Sequence, residues 1–387
     1  MLPKDFEGVV TAGWVCPASG PPLERGAIRI RAGRIVDVAR ADRLSPDLDL
    51  GPVAIVPGLV NAHTHIDLSI LAGKTPPDPD FLRWLRSLID YRSTNAPPTR
   101  EAIHAAAIRA MADMGSTVLV GDIDSGDRGL ASLIAERMEV VRFFEIRGRT
   151  VSQADGCLTQ LSEWDRTFPD DPRQHRGLSP HAPYSTRPEL YRRAAERNLP
   201  TAIHLAETRE EIELSERRSG PFVRLIDGLG GFVSENVGGT IREILDTLAG
   251  VPRLLVVHGN YLDPAIDLPP NASVIYCPRT HAAFGHDPHP FRAFLARGIG
   301  VALGTDSLAS NPDLNVWNEA RFLHSLDPTL PASLLLEMAT LNGARALGLE
   351  ADFGSIEPGK RALFHFVPQK SGCELEASLF DSHSEAR

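Results

Sequence analysis

The sequence predicts a (β/α)8 barrel of the α/β class, with a small β-sandwich formed by its N- and C-terminal segments. Three observations predict it. Eight apolar, strand-like runs follow one another between about Pro57 and Asp306. Helix-like stretches separate most of them, the alternation that builds a closed parallel sheet. Five polar residues, His63, His65, His204, His258 and Asp306, stand at or just past the ends of four of these runs.

Taken in order, VVTAGWVCP and AIRIRAGRIVDVA read as short strands joined by turns, with Gly20-Pro21 and Ala32-Gly33 as the turn signals. The run AIVPGLVNAHTH opens the barrel from about Pro57. STVLVGD, VVRFFEI, RGLSPHAP, PTAIHLA, RLLVVHG, SVIYCP and GVALGTD continue it. DFLRWLRSLIDYR, REAIHAAAIRAMADMG, RPELYRRAAERN and HPFRAFLARG supply helices between them. The Gly-rich connection GPFVRLIDGLGGFVSENVGGT, between the fifth and sixth strands, suits a lid or a plain surface excursion. After a helix around LLLEMATLNGARALG, the return GSIEPGKRALFHF joins the N-terminal strands. The expected boundaries are 1–56 with 351–370 for the sandwich, 57–350 for the barrel, and 371–387 for a polar tail that need not be ordered.

The apolar fraction of 42% is ample for a core, and the net charge of −10 with no basic run argues against nucleic acid. Cys16, Cys157, Cys277 and Cys373 are far apart and form no CxxC pair, which predicts free thiols in a reducing compartment. MLPKDFEGVV lacks the apolar core of a signal peptide, and no stretch approaches the ~20 apolar residues that span a membrane. The expectation is a cytoplasmic protein that binds a small molecule, neither nucleic acid nor membrane, with a homodimer as the default assembly.

His63 and His65 are two apart, so on a strand both side chains project to one face. Alone, such a pair is more often two hydrogen-bonded histidines in a polar loop. Three further candidates at other strand ends change that balance, because the C-terminal ends of barrel strands converge on one mouth. Neutral imidazoles with a carboxylate suit Zn, Fe, Co or Ni. A catalytic site keeps one position open for water and lowers the pKa of that water toward about 7. Zinc is the expected ion and iron the alternative.

Glu207, three residues after His204, belongs to the turn beyond the strand and can overhang the mouth. Equally, it can serve as an acid at the N-terminus of the helix begun by TREEIELSER. In the first role it joins Asp306 as the pair of proton-handling groups that hydrolysis needs. Candidate substrate contacts are Trp84, Arg147, Arg149 and the Gly230-Gly231 stretch. The helical spacing around Trp84 favours the core instead. Arg147 suits either a bidentate clamp on a carboxylate or a surface salt bridge. GSIEPGKR misses a phosphate-binding loop because Arg361 replaces the hydroxyl residue. The H-x-E with P-C-x-x-C signature and the G-x-S-x-G elbow are absent from the sequence.

In order and spacing, PGLVNAHTH, SPHAPYS, HLAET, VHGN, CPRT and LGTDSLASN resemble the amidohydrolase superfamily, and within it the deaminase and chlorohydrolase branch. The resemblance runs from the N-terminal strands through Lys360. It implies that His63, His65, His204 and Asp306 hold one divalent metal ion. It further implies that His258 orients hydroxide and substrate, and that Glu207 shuttles a proton to the ring nitrogen under attack. Asp306 would take the proton of the attacking water and pass it toward the leaving group, and His181 would face the substrate.

The implied reaction is hydrolytic deamination of an aromatic amino group with release of ammonia. NAHTHIDLS followed by FLRWLRSLIDYR is most similar to the 6-aminodeoxyfutalosine deaminases of menaquinone biosynthesis. Deaminases of S-adenosylhomocysteine or 5'-methylthioadenosine, and s-triazine or amide hydrolases, are the alternatives; a metal-binding scaffold without turnover comes third. Two departures stand out. Thr280-His281 replaces the family's CP-R-S-N pattern, which makes His281 a candidate pocket residue, while His286 and His289 read as loop histidines. Beyond PGK the chain continues only as a short segment, so the sandwich is expected to be trimmed.

Overall fold

A computed structural model describes residues 6–230, 232–369 and 375–380. The chain falls into two compact units, Met1–Asn61 with Gly115–Leu119 and Asn315–Arg387, and Ala62–Met114 with Val120–Leu314.

In the first unit, strands β1 (Gly8–Val15), β2 (Leu23–Arg31), β3 (Arg34–Arg40), β4 (Leu48–Asp49) and β5 (Val53–Pro57) form a mixed sheet with the C-terminal strand Phe364–Pro368. Ala32 and Gly33, both at positive φ (50° and 69°), make the tight two-residue turn between β2 and β3. Alternate residues bury one face of the sheet: Val10, Ala12, Ile28, Ile30 and Ile55 pack with Ile356 and Phe364. The return strand pairs antiparallel with β5, from Phe364 opposite Pro57 to Pro368 opposite Val53. The C-terminal segment therefore adds one strand to the sheet.

Of the expected polar tail, residues 375–380 are among the described residues, and they are not merely polar. Leu375–Leu379 is helical, Leu379 and Phe380 are buried, and the Phe380 ring lies 4.5 Å from Trp317. The three apolar residues responsible are diluted in sequence by acids and serines, so their composition signal is weak. Cys373 lies outside the described residues.

All eight barrel runs form strands in the expected order: β6 (Leu59–Thr64), β7 (Thr117–Asp124), β8 (Glu139–Ile146), β9 (Gln174–Pro180), β10 (Thr201–Leu205), β11 (Leu254–His258), β12 (Ala272–Tyr276) and β13 (Gly300–Leu303). Each lies beside its sequence neighbours in one sheet. β10 and β11 are buried at every residue, which is why they read as continuous apolar runs and not as alternating ones. The run AIVPGLVNAHTH is in fact two strands parted at Gly58, where a Cβ would come within 2.6 Å of Val118 Cγ1.

At the other end of the sheet, Thr64 bridges Asp306, and the backbone N–H groups of Thr305 and Asp306 both donate to the His63 carbonyl, at 3.0 and 3.1 Å. Gly304 permits that approach, since a Cβ there would stand 2.9 Å from His63 Cβ. Closing the barrel is thus the same event as bringing Asp306 beside His63. Among the described residues, no helix is long and apolar enough to cross a membrane.

Candidate metal centre

His63 lies near the end of β6 and His65 just past it, His204 on β10, His258 at the last position of β11, and Asp306 three residues beyond β13. All five are buried. Candidate ligand atoms of His63, His65 and Asp306 lie within 4.8 Å of one another, as do those of His63, His204 and His258. Asp306 Oδ1 is 3.7 Å from His63 Nε2 and 3.6 Å from His65 Nε2, while His65 Nε2 and His204 Nε2 are 3.3 Å apart. Ala206, His258 and Asp306 adopt left-handed backbone (φ 57°, 66° and 60°). For non-glycine residues this conformation costs on the order of 1–3 kcal/mol, strain that characteristically sits at functional sites.

Outer contacts fix which atoms face inward. His204 Nδ1 donates to the His181 carbonyl at 3.1 Å, leaving Nε2 toward the cluster. The Ser310 hydroxyl donates to Asp306 Oδ2 at 2.8 Å, leaving Oδ1 toward the histidines. Thr280 in turn supports Ser310, with the two hydroxyls 3.1 Å apart. Thr280, in the segment that departs from the family pattern, thus props up the aspartate from behind.

Burial lowers the pKa of His65 and His258 well below the usual range and that of His204 to about 3, so these imidazoles are neutral, the form that ligates. Burial opposes the charge on Asp306, but its contacts with His63, His65 and His258 outweigh burial and hold the carboxyl low. Neutral imidazole nitrogens and one ionised carboxylate, converging in a buried space, fit a single divalent cation of borderline softness.

Glu207 precedes the helix Arg209–Arg217, whose N-cap is Thr208, with its hydroxyl accepting from Glu211 N–H. Capping is therefore left to Thr208, and Glu207 turns to the mouth, where its Oε1 lies 3.5 Å from His258 Nε2. Burial, followed by the neighbouring Asp306 and Glu211 carboxylates, pushes Glu207 well above the usual carboxylate range. The two carboxylates of the mouth are thus driven in opposite directions, the pattern that separates a general acid from a base.

These groups form the polar end of a cavity of about 250 Å³. Its walls are largely apolar, with Trp84, Leu88, Phe222 and Ile226 among them, and Arg92, Arg147 and Arg149 also face it. Trp84 satisfies both readings of its sequence context. It packs in the core beside Phe81 and Phe284, donates from Nε1 to the Thr75 carbonyl at 3.0 Å, and still lines the cavity. Arg147 likewise lines the cavity and pairs with Glu145. His181 lines it too, with Nδ1 2.6 Å from Ser185 Oγ. Gly231 lies outside the described residues.

His281 corrects the expectation of a pocket residue. It sits on the helix Pro278–Ala283, turns its Nε2 to the Asp287 carbonyl at 2.8 Å, and is absent from the cavity lining. The helix begins immediately after β12, so by His281 the chain has already turned away from the mouth.

His289, which reads in the sequence as a loop histidine, is buried, stacked on Tyr276 at 3.9 Å, and donates from Nε2 to the His258 carbonyl at 2.8 Å. Nothing in GHDPHPF marks this contact, because its partner is a backbone oxygen 31 residues away. His289→Ala is expected to lower kcat about tenfold with metal content unchanged, and His289→Gln to recover part of the loss, since one buried hydrogen bond holds the strained His258 backbone. Steady-state kinetics with metal analysis check this.

A family model described as the amidohydrolase family matches residues 54–382. The 5-methylthioadenosine/S-adenosylhomocysteine deaminase of Moorella thermoacetica is 31% identical over 374 residues, covering 90% of this chain and 82% of that protein. An adenosine deaminase from Xanthomonas campestris, solved with bound zinc, is similar at 25% identity and a TM-score of 0.78, covering 98% of this chain and 90% of that one. The aminofutalosine deaminase of Helicobacter pylori shares the fold, with a TM-score of 0.84 at 22% identity over 96% and 95% of the two chains. A family match that spans the whole barrel, together with a relative at this identity over nine-tenths of the chain, decides the matter: the protein belongs to the amidohydrolase family and is a hydrolase acting on carbon–nitrogen bonds.

Proposed function

We propose that the protein is a mononuclear metal-dependent aminohydrolase of an adenine-bearing nucleoside, releasing ammonia. The observation that carries this reading is the pair of oppositely driven carboxylates, Glu207 and Asp306, beside converging imidazoles at one end of an apolar cavity. His63, His65, His204 and Asp306 would hold the cation, for which zinc is favoured by the ion bound in the Xanthomonas campestris relative. A divalent cation bound there supplies a Lewis acid and hydroxide at neutral pH.

The chain's own groups do the rest. Asp306 accepts the proton of the attacking water at Oδ1, the oxygen that Ser310 leaves open. Glu207, kept protonated, gives its proton to the ring nitrogen next to the carbon under attack. His258, beside Glu207, holds the exocyclic group in line. The proton taken by Asp306 passes to the amino group and ammonia leaves, while the added hydroxyl returns its proton to the ionised Glu207 as the ring carbon becomes a carbonyl. Trp84 and His181 pack and orient the base.

The cationic side of the cavity narrows the substrate. Arg92 and Arg149 face it with no salt-bridge carboxylate among the described residues, and Arg147 stands with them. A cation beside apolar walls is stabilised by an anionic partner, which favours 6-aminodeoxyfutalosine, whose substituent carries a net negative charge, over neutral 5'-methylthioadenosine and over S-adenosylhomocysteine, whose carboxylate is offset by its own ammonium. The 31% identical Moorella thermoacetica relative supports the alternative, 5'-methylthioadenosine or S-adenosylhomocysteine.

An ammonia-release assay on metal-analysed protein tests the reading, with these nucleosides, adenosine, guanine, cytosine, chlorinated triazines and simple amides. Turnover of adenine nucleosides is the expected result, fastest with 6-aminodeoxyfutalosine. Activity confined to triazines or amides contradicts it, as does stoichiometric metal with no turnover, the mark of a binding scaffold.

A further inference from the structure

Glu145 stands behind the cavity wall and touches two residues that form it. Its neighbours Phe144 and Ile146 pack outward with Ala154, Leu161 and Trp164 of the helix Val151–Thr167. The two-residue period of β8 therefore turns Glu145 inward, together with Phe143, which lies over Gly177 of β9. The Glu145 side chain is only 16% exposed and does not line the cavity, whereas Arg147 and His181 both do.

One carboxylate oxygen serves both. Oε1 accepts a hydrogen bond from Arg147 Nη2 at 2.5 Å and stands 3.7 Å from His181 Nε2. On the far side of that imidazole, Ser185 Oγ is 2.6 Å from Nδ1 and 3.1 Å from the Ala182 carbonyl. A hydroxyl proton given to the nearer Nδ1 leaves the single ring proton on Nε2, where it faces the Glu145 carboxylate. The ring is pinned by Ser185 at one nitrogen and faces Glu145 with the other. Nothing in the proposed mechanism uses Glu145, yet it is the common neighbour of Arg147 and His181, two of the polar side chains that line the cavity.

We propose that Glu145 is a positioning residue for substrate selection: its carboxylate fixes Arg147 and His181 in one wall and offsets the Arg147 charge, so that Arg147 meets the substrate as an aligned donor and not as a free cation. The inference rests on the adenine-nucleoside reading for its substrates. It predicts that Glu145→Gln loosens the wall for every substrate while exposing a positive charge that only an acidic substrate can use.

In Glu145→Gln, KM for neutral 5'-methylthioadenosine should rise about tenfold with kcat within about threefold, while KM for 6-aminodeoxyfutalosine changes little. Glu145→Asp, which keeps the charge, should recover part of the selectivity. An equal change for both substrates, or a change in kcat alone, overturns the inference. Failure of the wild-type protein to turn over any adenine nucleoside would refute the functional reading instead. In that case histidine ring resonances in ¹⁵N-labelled protein, assigned with His181→Gln, still decide the matter. The His181 signals should shift in Glu145→Gln, and unchanged signals overturn the inference whatever the substrate.

Discussion

His204→Ala is expected to reduce bound metal from about one equivalent to a small fraction and to lower kcat/KM by about 10⁴-fold or more, the scale of losing hydroxide generation at neutral pH. His204 occupies the middle of the cluster. Its Nε2 is 3.3 Å from His65 Nε2, and its Nδ1 is committed to the His181 carbonyl, so the ring has one free nitrogen and one direction to present it. Nothing nearby replaces that donor, because burial leaves the strand around it closed to water. His204→Asn, which retains a polar group of smaller reach, separates loss of ligation from loss of packing: it should fold with a similar Tm and still bind little metal. His258→Ala provides the contrast. It should keep its metal and lose kcat, as suits a residue beside Glu207 that handles substrate. Metal retained in His204→Ala but lost in His258→Ala would exchange the two assignments.

Glu207→Gln is expected to lower kcat about 10³-fold, with metal content and KM close to wild type, since general acid–base groups contribute about 10²–10⁴-fold. Burial and the adjacent Asp306 and Glu211 carboxylates hold Glu207 in its protonated form, so glutamine reproduces its shape and neutrality and removes only the transferable proton. The substitution should therefore cost little stability. Single-turnover ammonia release on metal-loaded protein measures the chemical step directly. Retention of more than about a tenth of the wild-type rate, outside the range of such catalysis, would remove Glu207 from the proton path.

The barrel was legible because its strands are largely buried and end in polar residues that converge on one cavity: RLLVVHGN and PTAIHLAE announce strand, terminus and candidate ligand within eight residues. The convergence of those ends follows from topology, so the sequence alone points to positions on β6, β10, β11 and past β13. Contacts made through the backbone or across loops were hidden. His289 acts on a carbonyl, Ser310 reaches Asp306 only after the chain has turned, and Glu145 touches His181 across two strands. His281 failed for the complementary reason. Its residue type suggested the pocket, but the helix that starts at Pro278 had already set its direction. The short C-terminal helix was missed because its few apolar residues are spaced among polar ones.

The central claim is that water attacks a ring carbon of an adenine nucleoside and displaces its amino group. Turnover of 6-aminodeoxyfutalosine and of 5'-methylthioadenosine in oxygen-18 water, followed by mass spectrometry and ammonia determination, tests it most directly. The expected result is one labelled oxygen in the product base for each ammonia released, lost in parallel in Glu207→Gln and His204→Ala. Release of free adenine without ammonia, or recovery of both nucleosides unchanged from protein carrying its full metal, would contradict it.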